Sequence, residues 1–285
     1  MSRRSHLTST IPMLAFGWLL VTVATALLAP WLPIAAPDAA LPEAAWSAPD
    51  DNFLLGSDAL GRDLWSRILW GTRISLACAV AGGSAALLLG VSWGLLAGGG
   101  SSARDHWMMR VVDLLDSVPL VFLVILLASV ARNSAWIDAG GGLTLFFIIL
   151  GVVYWTPMAR VVRGETRSLI RREWALAATA LGTPPRRLLW RQVLPNLLPT
   201  ILVTVTLIIP RVLLFEAFLS FLGLGVQAPE VSWGTLARDA FEVLNPVRTA
   251  WWMVLFPSLA LAATLLSLNI VGDALRTALD PKQKR

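Results

Sequence analysis

The chain has little of what most enzymes and metal proteins are built from: among its 285 residues are one cysteine, two histidines and two lysines. Cys78 sits alone in an apolar run, which excludes an internal disulfide and leaves a small packing residue as its expected role. His6 and His106 are far apart in sequence, so no metal-ligand cluster can be read and no resident cofactor is expected. Both lysines, Lys282 and Lys284, fall in the last four residues, so there is no GxxxxGK[ST] phosphate loop. If ATP drives this protein, another subunit must hydrolyse it. No catalytic residue is assigned. Asp113 and Asp116 are the acidic pair an intramembrane enzyme could use, but Arg110 precedes Asp113 by one helical turn. Charge neutralisation near an interface is the simpler reading. Charged residues make up 14% of the chain, against roughly one quarter in soluble domains.

Apolar sequence is abundant, at 56%, and it is arranged in runs. Six runs approach the ~20 residues needed to cross a bilayer: 11–32, 74–98, 108–131, 142–162, 197–222 and 251–275. An all-α, polytopic membrane protein with six transmembrane helices is therefore expected. The first run also resembles a signal peptide, with Ala24-Thr25-Ala26 as a cleavage-like site. Its apolar part exceeds the ~7–15 residues of a signal core, which favours an uncleaved span.

Positive charge beside spans stays in the cytoplasm. Arg3 and Arg4 thus place the tail 1–10 inside, and alternation puts 33–73, 132–141 and 223–250 outside. The segments 99–107 and 163–196 and the tail 277–285 (Lys282, Lys284, Arg285) fall inside, with residues 74–276 forming the five-helix core. Arg62, Arg67 and Arg73 conflict mildly with this scheme and are expected to lie along the outer interface. The pI of about 10.5 comes from this topological charge, so a nucleic-acid partner is not expected, whereas lipid is.

The basic stretch from Arg160 to Pro195 carries eight arginines against Glu165 and Glu173. Its first part, RSLIRREWALAATALG, predicts one helix stopped by Gly182 in a left-handed conformation. Thr183 and Pro184 then read as the N-cap and first turn of a second, short helix, PPRRLLWRQVL. Leu188, Leu189, Trp190 and Val193 would be apolar anchors within a rim of Arg186, Arg187 and Arg191, the anatomy of a docking surface.

Other features are less specific. Gly90, Gly94 and Gly98 form a small-xxx-small face suited to close helix approach, within the chain or between subunits. Pro119, Pro157, Pro210 and Pro257 interrupt four spans and permit bending. The fifth span holds Arg211 and Glu216. A charge at that depth costs at least ~2.5 kcal/mol unless paired or wetted. They are read either as paired groups or, with Ser220, as lining of a translocation path. Segment 223–250 is too polar to span and too long for a bare turn, so it reads as an outer element. It either packs on this subunit or, through Glu230, Trp233, Asp239, Glu242 and Trp251, meets an external partner, with 55–66 as another contact.

Four blocks carry a family resemblance: LGSDALGRDLWSRILWGTRISL (55–76), AATALG with LPN (177–182 and 194–196), EAFLSFLGLGVQAPEVSWG (216–234) and LNIVGDALRTALDP (268–281). With the span order they cover nearly the whole chain. It resembles an inner-membrane permease of an ABC importer, of the dipeptide/oligopeptide/nickel family, on the side of the pair with the longer first outer loop. The resemblance implies a type I importer fold, a bacterial inner-membrane location with both termini cytoplasmic, and a cytoplasmic coupling loop. It implies as partners a second homologous permease, ATP-binding subunits and a periplasmic substrate-binding protein. Coupling to the ATPase would fall to Glu173, Ala177, Ala178, Gly182, Thr183, Pro184, Arg186, Arg187, Leu188, Trp190, Leu194 and Pro195. The family usually has Glu where this chain has Leu176, and an apolar residue where it has Arg211. Peptides are the expected cargo, with nickel or a nickel chelate as the alternative. A secondary transporter would want inverted repeats and a channel a filter motif, and neither is found.

Overall fold

The computed structural model describes residues 2–132, 142–242 and 250–279, and among these the chain is helical with no strand beyond an isolated Ser57–Asp63 bridge. Most of the turn expected at 132–141, residues 243–249 and the basic tail at Lys282, Lys284 and Arg285 lie outside the described residues. Helix α1 (Ser2–Leu28) leads into a looped segment that ends at Asp63. The Asp63 carboxylate caps α2 by accepting from the backbone N–H groups of Trp65 and Ser66. Helix α2 runs over Leu64–Gly98, with one π turn at Ala86–Gly90. It is followed by α3 (Ser102–Ser117), α4 (Leu120–Arg132), α5 (Gly142–Leu169) and α6 (Glu173–Ala180). Helix α7 (Pro185–Phe221) also contains a π turn, Leu189–Val193. Helices α8 (Trp233–Glu242) and α9 (Trp251–Leu279) complete the fold.

Five helices among the described residues are long and apolar enough to cross a membrane: Thr10–Trp31, Leu64–Gly98, Phe146–Leu169, Pro185–Phe221 and Trp251–Leu279. The expected third span, 108–131, is split between α3 and α4. Proline disfavours helical backbone at the residue before it, and Val118, ahead of Pro119, is extended at φ −86°, ψ 126°. The second span starts earlier than expected, because capping by Asp63 extends α2 ten residues beyond the apolar run that begins at 74.

The core is built by α2, α5 and α7. A carbon placed on Gly90 would lie 2.6 Å from the Trp155 carbonyl oxygen, and on Gly94 2.6 Å from that of Ala159. On Gly98 it would lie 2.7 Å from the Arg163 carbonyl oxygen. The glycine face therefore serves close packing within the subunit, α2 against α5. Cys78 is fully buried in this core, as a packing residue. Helix α1 leans on α9, where the Trp18 indole N–H donates to the Thr264 hydroxyl at 3.0 Å.

Candidate functional site

Two groups of candidate side chains lie at opposite ends of α7. At the arginine-rich end the expected single helix 167–182 is instead two. Helix α5 stops at Leu169, Arg172 is extended at ψ 151°, and α6 starts at Glu173. Adjacent Arg171 and Arg172 are both exposed at this corner, so the break turns both into solvent. Gly182 adopts φ +82°. Around it the N–H of Thr183 bonds the Ala178 carbonyl and that of Gly182 bonds the Thr179 carbonyl, each at 3.0 Å, which is a Schellman stop. The second helix begins one residue later than the sequence implied. Pro184 is the N-cap, Pro185 holds the first helical position, and Thr183 belongs to the end of α6. It is also not a separate helix: it continues through the π turn into α7.

Burial reassigns the anchors. Leu188, Leu189 and Val193 point into the core beside Ala175, and so are not free to hold a partner. The exposed apolar groups are Leu181 at 88%, Leu176 at 58%, Trp190 and Trp174. Pro184, Arg186, Arg187, Trp190 and Arg191 line an open groove beside them. Glu173 and Ala177 are exposed and Ala178 half-buried, whereas Leu194 is half-buried and Pro195 exposed where α7 leaves the surface. Leu176 thus places an apolar contact on this surface, one turn from Glu173.

Neighbouring charges brace the same end. Asp113 and Asp116 pair with Arg160 at 2.9 and 2.8 Å, not with Arg110, whose guanidinium turns to His106. Asp105 receives the Arg163 guanidinium in a two-pronged contact at 2.5 and 2.7 Å, with Arg167 at 3.0 Å. The Arg163 hydrogen bonds hold the Asp105 carboxyl below its usual range, outweighing the opposite effect of burial.

At the other end, Glu216 is fully buried. Its two carboxylate oxygens accept from the hydroxyls of Ser75 on α2 at 3.0 Å and Ser220 at 2.8 Å. The same hydroxyls accept backbone N–H groups of the following loop, Val226 onto Ser220 and Trp233 onto Ser75. Glu216 and Ser220 are therefore held in a buried knot inside this subunit. Ser232 and Thr235 cap α8 reciprocally, each hydroxyl accepting the other's N–H.

A second cluster lies nearby. Arg67 contacts Asp58 at 2.6 Å and Asp239 at 3.0 Å, and Arg62 contacts Asp58 at 2.6 Å. Pairing removes the conflict posed by two of the three arginines at this end; Arg73 remains exposed. It also engages Asp239, while Trp233 is buried, so of the residues expected to make an outer contact Glu230 and Trp251 stay exposed and the side chain of Glu242 lies outside the described residues. Nothing in the sequence alone joins Arg67 to an aspartate 172 residues away.

Arg211 differs from Glu216. Its side chain is exposed, and among the described residues no carboxylate ion-pairs with it. Its carbonyl oxygen accepts the Tyr154 hydroxyl at 3.2 Å.

Residues 90–285 match the family described as binding-protein-dependent transport system inner membrane component. The chain belongs to that family. It is 40% identical to the oligopeptide transport system permease protein OppC of Bacillus subtilis over 83% of this chain and 74% of that protein. To the dipeptide transport system permease protein DppC of the same organism it is 37% identical, over 83% of this chain and 71% of that one. The fold is shared with a chain of the MetNI methionine ABC transporter in an inward-facing conformation. There the TM-score is 0.62 at 17% identity, over 76% of this chain and 97% of that one. This permease is thus a membrane component of an ABC importer with the type I fold.

Proposed function

We propose that this permease forms half of a path for small peptides and couples that path to separate ATPase subunits. Helix α7 carries the reading. A single helix of 37 residues, about 55 Å long at ~1.5 Å per residue, starts at the arginine-lined groove and ends beside the Glu216 knot. A partner that grips one end can tilt the whole rod and the loop tied to its other end. On this reading the arginine-rich end is cytoplasmic, with both termini on that side, and offers Leu176, Leu181 and Trp190 as apolar contacts with an arginine rim. Glu173, in the first turn of α6, complements the helix dipole and supplies the acidic part of the surface. A second, homologous permease completes the path, and a periplasmic binding protein delivers cargo to the opposite end through exposed residues such as Glu230 and Leu60. The relatives are named for oligopeptide and dipeptide transport, which favours peptides over nickel. The test is uptake by the complete transporter in proteoliposomes. ATP-dependent accumulation of di- to pentapeptides is expected, and saturable nickel uptake without peptide uptake would overturn the cargo assignment.

A further inference from the structure

Arg211 is the exception on the surface of α7. It lies ten residues before Phe221, hence about 15 Å inside the helix end, near the middle of a ~30 Å apolar layer. At that depth a guanidinium turned to lipid is strongly disfavoured. Yet the side chain is exposed on this chain and no described carboxylate neutralises it, whereas Glu216, one and a half turns away, is fully satisfied indoors. The exposed face around it is otherwise apolar: Leu207, Leu214 and Phe218 stand on the same side at helical spacing. Tyr154 stands beside it, donating its hydroxyl hydrogen to the Arg211 carbonyl and leaving the phenolic oxygen able to accept.

We propose that Arg211 is a specificity-determining station in the translocation path, which receives the C-terminal carboxylate of a passing peptide. The inference rests on the peptide reading above and adds to it the group that is recognised. Peptides of different sequence share little beyond their backbone and their two charged ends. An apolar wall with one fixed cation tolerates varied side chains while selecting an anionic end. Mid-depth is also where a bare carboxylate meets its highest barrier, so a cation there acts where it lowers that barrier most. A guanidinium suits the task because its planar fork matches a carboxylate with two parallel hydrogen bonds.

The experiment uses the complete transporter, with its binding protein kept unaltered and saturating. Uptake of one tripeptide is compared as free acid and as C-terminal amide, for the original protein, Arg211→Leu and Arg211→Lys. The readout is the acid-to-amide ratio of each variant relative to the original protein. Arg211→Leu is expected to lower that ratio about tenfold, a loss in keeping with one charged hydrogen-bonded contact, and Arg211→Lys, which keeps the charge but not the fork, to restore only part of it. An unaltered ratio with Arg211→Leu would overturn the proposal. So would loss of the second permease from the purified complex, which would make Arg211 an intersubunit ion-pair partner. Failure of the original protein to take up either form would instead refute the peptide reading itself.

Discussion

The two ends of α7 solve opposite problems. At the Glu216 end the buried carboxylates are met within the chain: Glu216 by two hydroxyls, which in turn accept backbone N–H groups, and Asp58 by Arg67, which also reaches Asp239. At the arginine-rich end Leu181, Leu176 and Trp190 lie open beside Arg186, Arg187 and Arg191. Apolar side chains that large are normally covered in a finished assembly. The buried charges of one end are satisfied by the subunit itself, whereas the other end leaves large apolar side chains open, as the proposed ATPase contact requires.

The hardest way to break this comparison is to open the closed end. Arg67→Met leaves Asp58, 1% exposed, facing only Arg62, and removing one member of a buried ion pair typically costs about 3–5 kcal/mol. The detergent-solubilised permease should lose that much in denaturant unfolding, and the double variant Arg67→Met/Asp58→Asn should lose less than the sum of the single changes. Additive losses would mean the cluster is not a unit. Next, Gly94→Ala drives a methyl into the Ala159 carbonyl and should cost about 1–3 kcal/mol by forcing α2 and α5 apart. A thermal midpoint equal to that of the parent protein would show that the helices are not in backbone contact there.

At the open end the signature should be functional. Gly182→Val strains a residue at φ +82° by about 1–2 kcal/mol, with no steric clash to confuse the reading, since nothing lies within 4 Å of the added carbon. Normal insertion with peptide uptake lost, and ATP hydrolysis uncoupled or the ATPase subunit released, is expected; full uptake at normal expression would rule the loop out as the coupling element. Leu181→Asp should alter permease stability by no more than about 0.5 kcal/mol, as exposed positions do, yet weaken co-purification of the ATPase subunits. Undiminished co-purification would make Leu181 a bystander.

The smallest effect concerns acid. Folding lowers the Asp105 pKa from its ordinary 3.8, because Arg163 stabilises the ionised form. The stabilisation is fully present above that value and is lost as pH falls below it through the folded-state value. Asp105→Asn should therefore flatten the acid limb of a stability–pH curve below about pH 4. An unaltered limb would mean that the Arg163 contact contributes nothing measurable.

Local signals in the sequence are decisive where one residue type has one backbone meaning. Gly182 after a helical run predicts a left-handed stop, and the chain makes one. They failed where a continuous pattern hides a break: Arg171-Arg172 carries no breaker, yet α5 ends just before it and α6 starts just after. They also failed at Thr183-Pro184-Pro185, where two prolines compete for the first turn and packing of Leu188 and Leu189 against the core sets the register. Side-chain direction is the least legible feature of the sequence. Leu188, Leu189 and Trp190 are consecutive on one helix, and only burial separates the two that support the fold from the one left for a partner.

What the amino-acid order alone determined is local and one-dimensional: apolar runs long enough to span, the sidedness expected of arginine, the Gly182 helix stop, and the blocks that mark the family. What only the tertiary structure decided is which distant groups share a place. The glycines of α2 close on α5, Glu216 meets Ser75 from 141 residues away, Arg67 meets Asp239, and Arg211 is left outside facing open space. The reason is physical: hydropathy and backbone preference act over a few residues, whereas satisfying a buried charge depends on which helices pack together, and no local pattern encodes that.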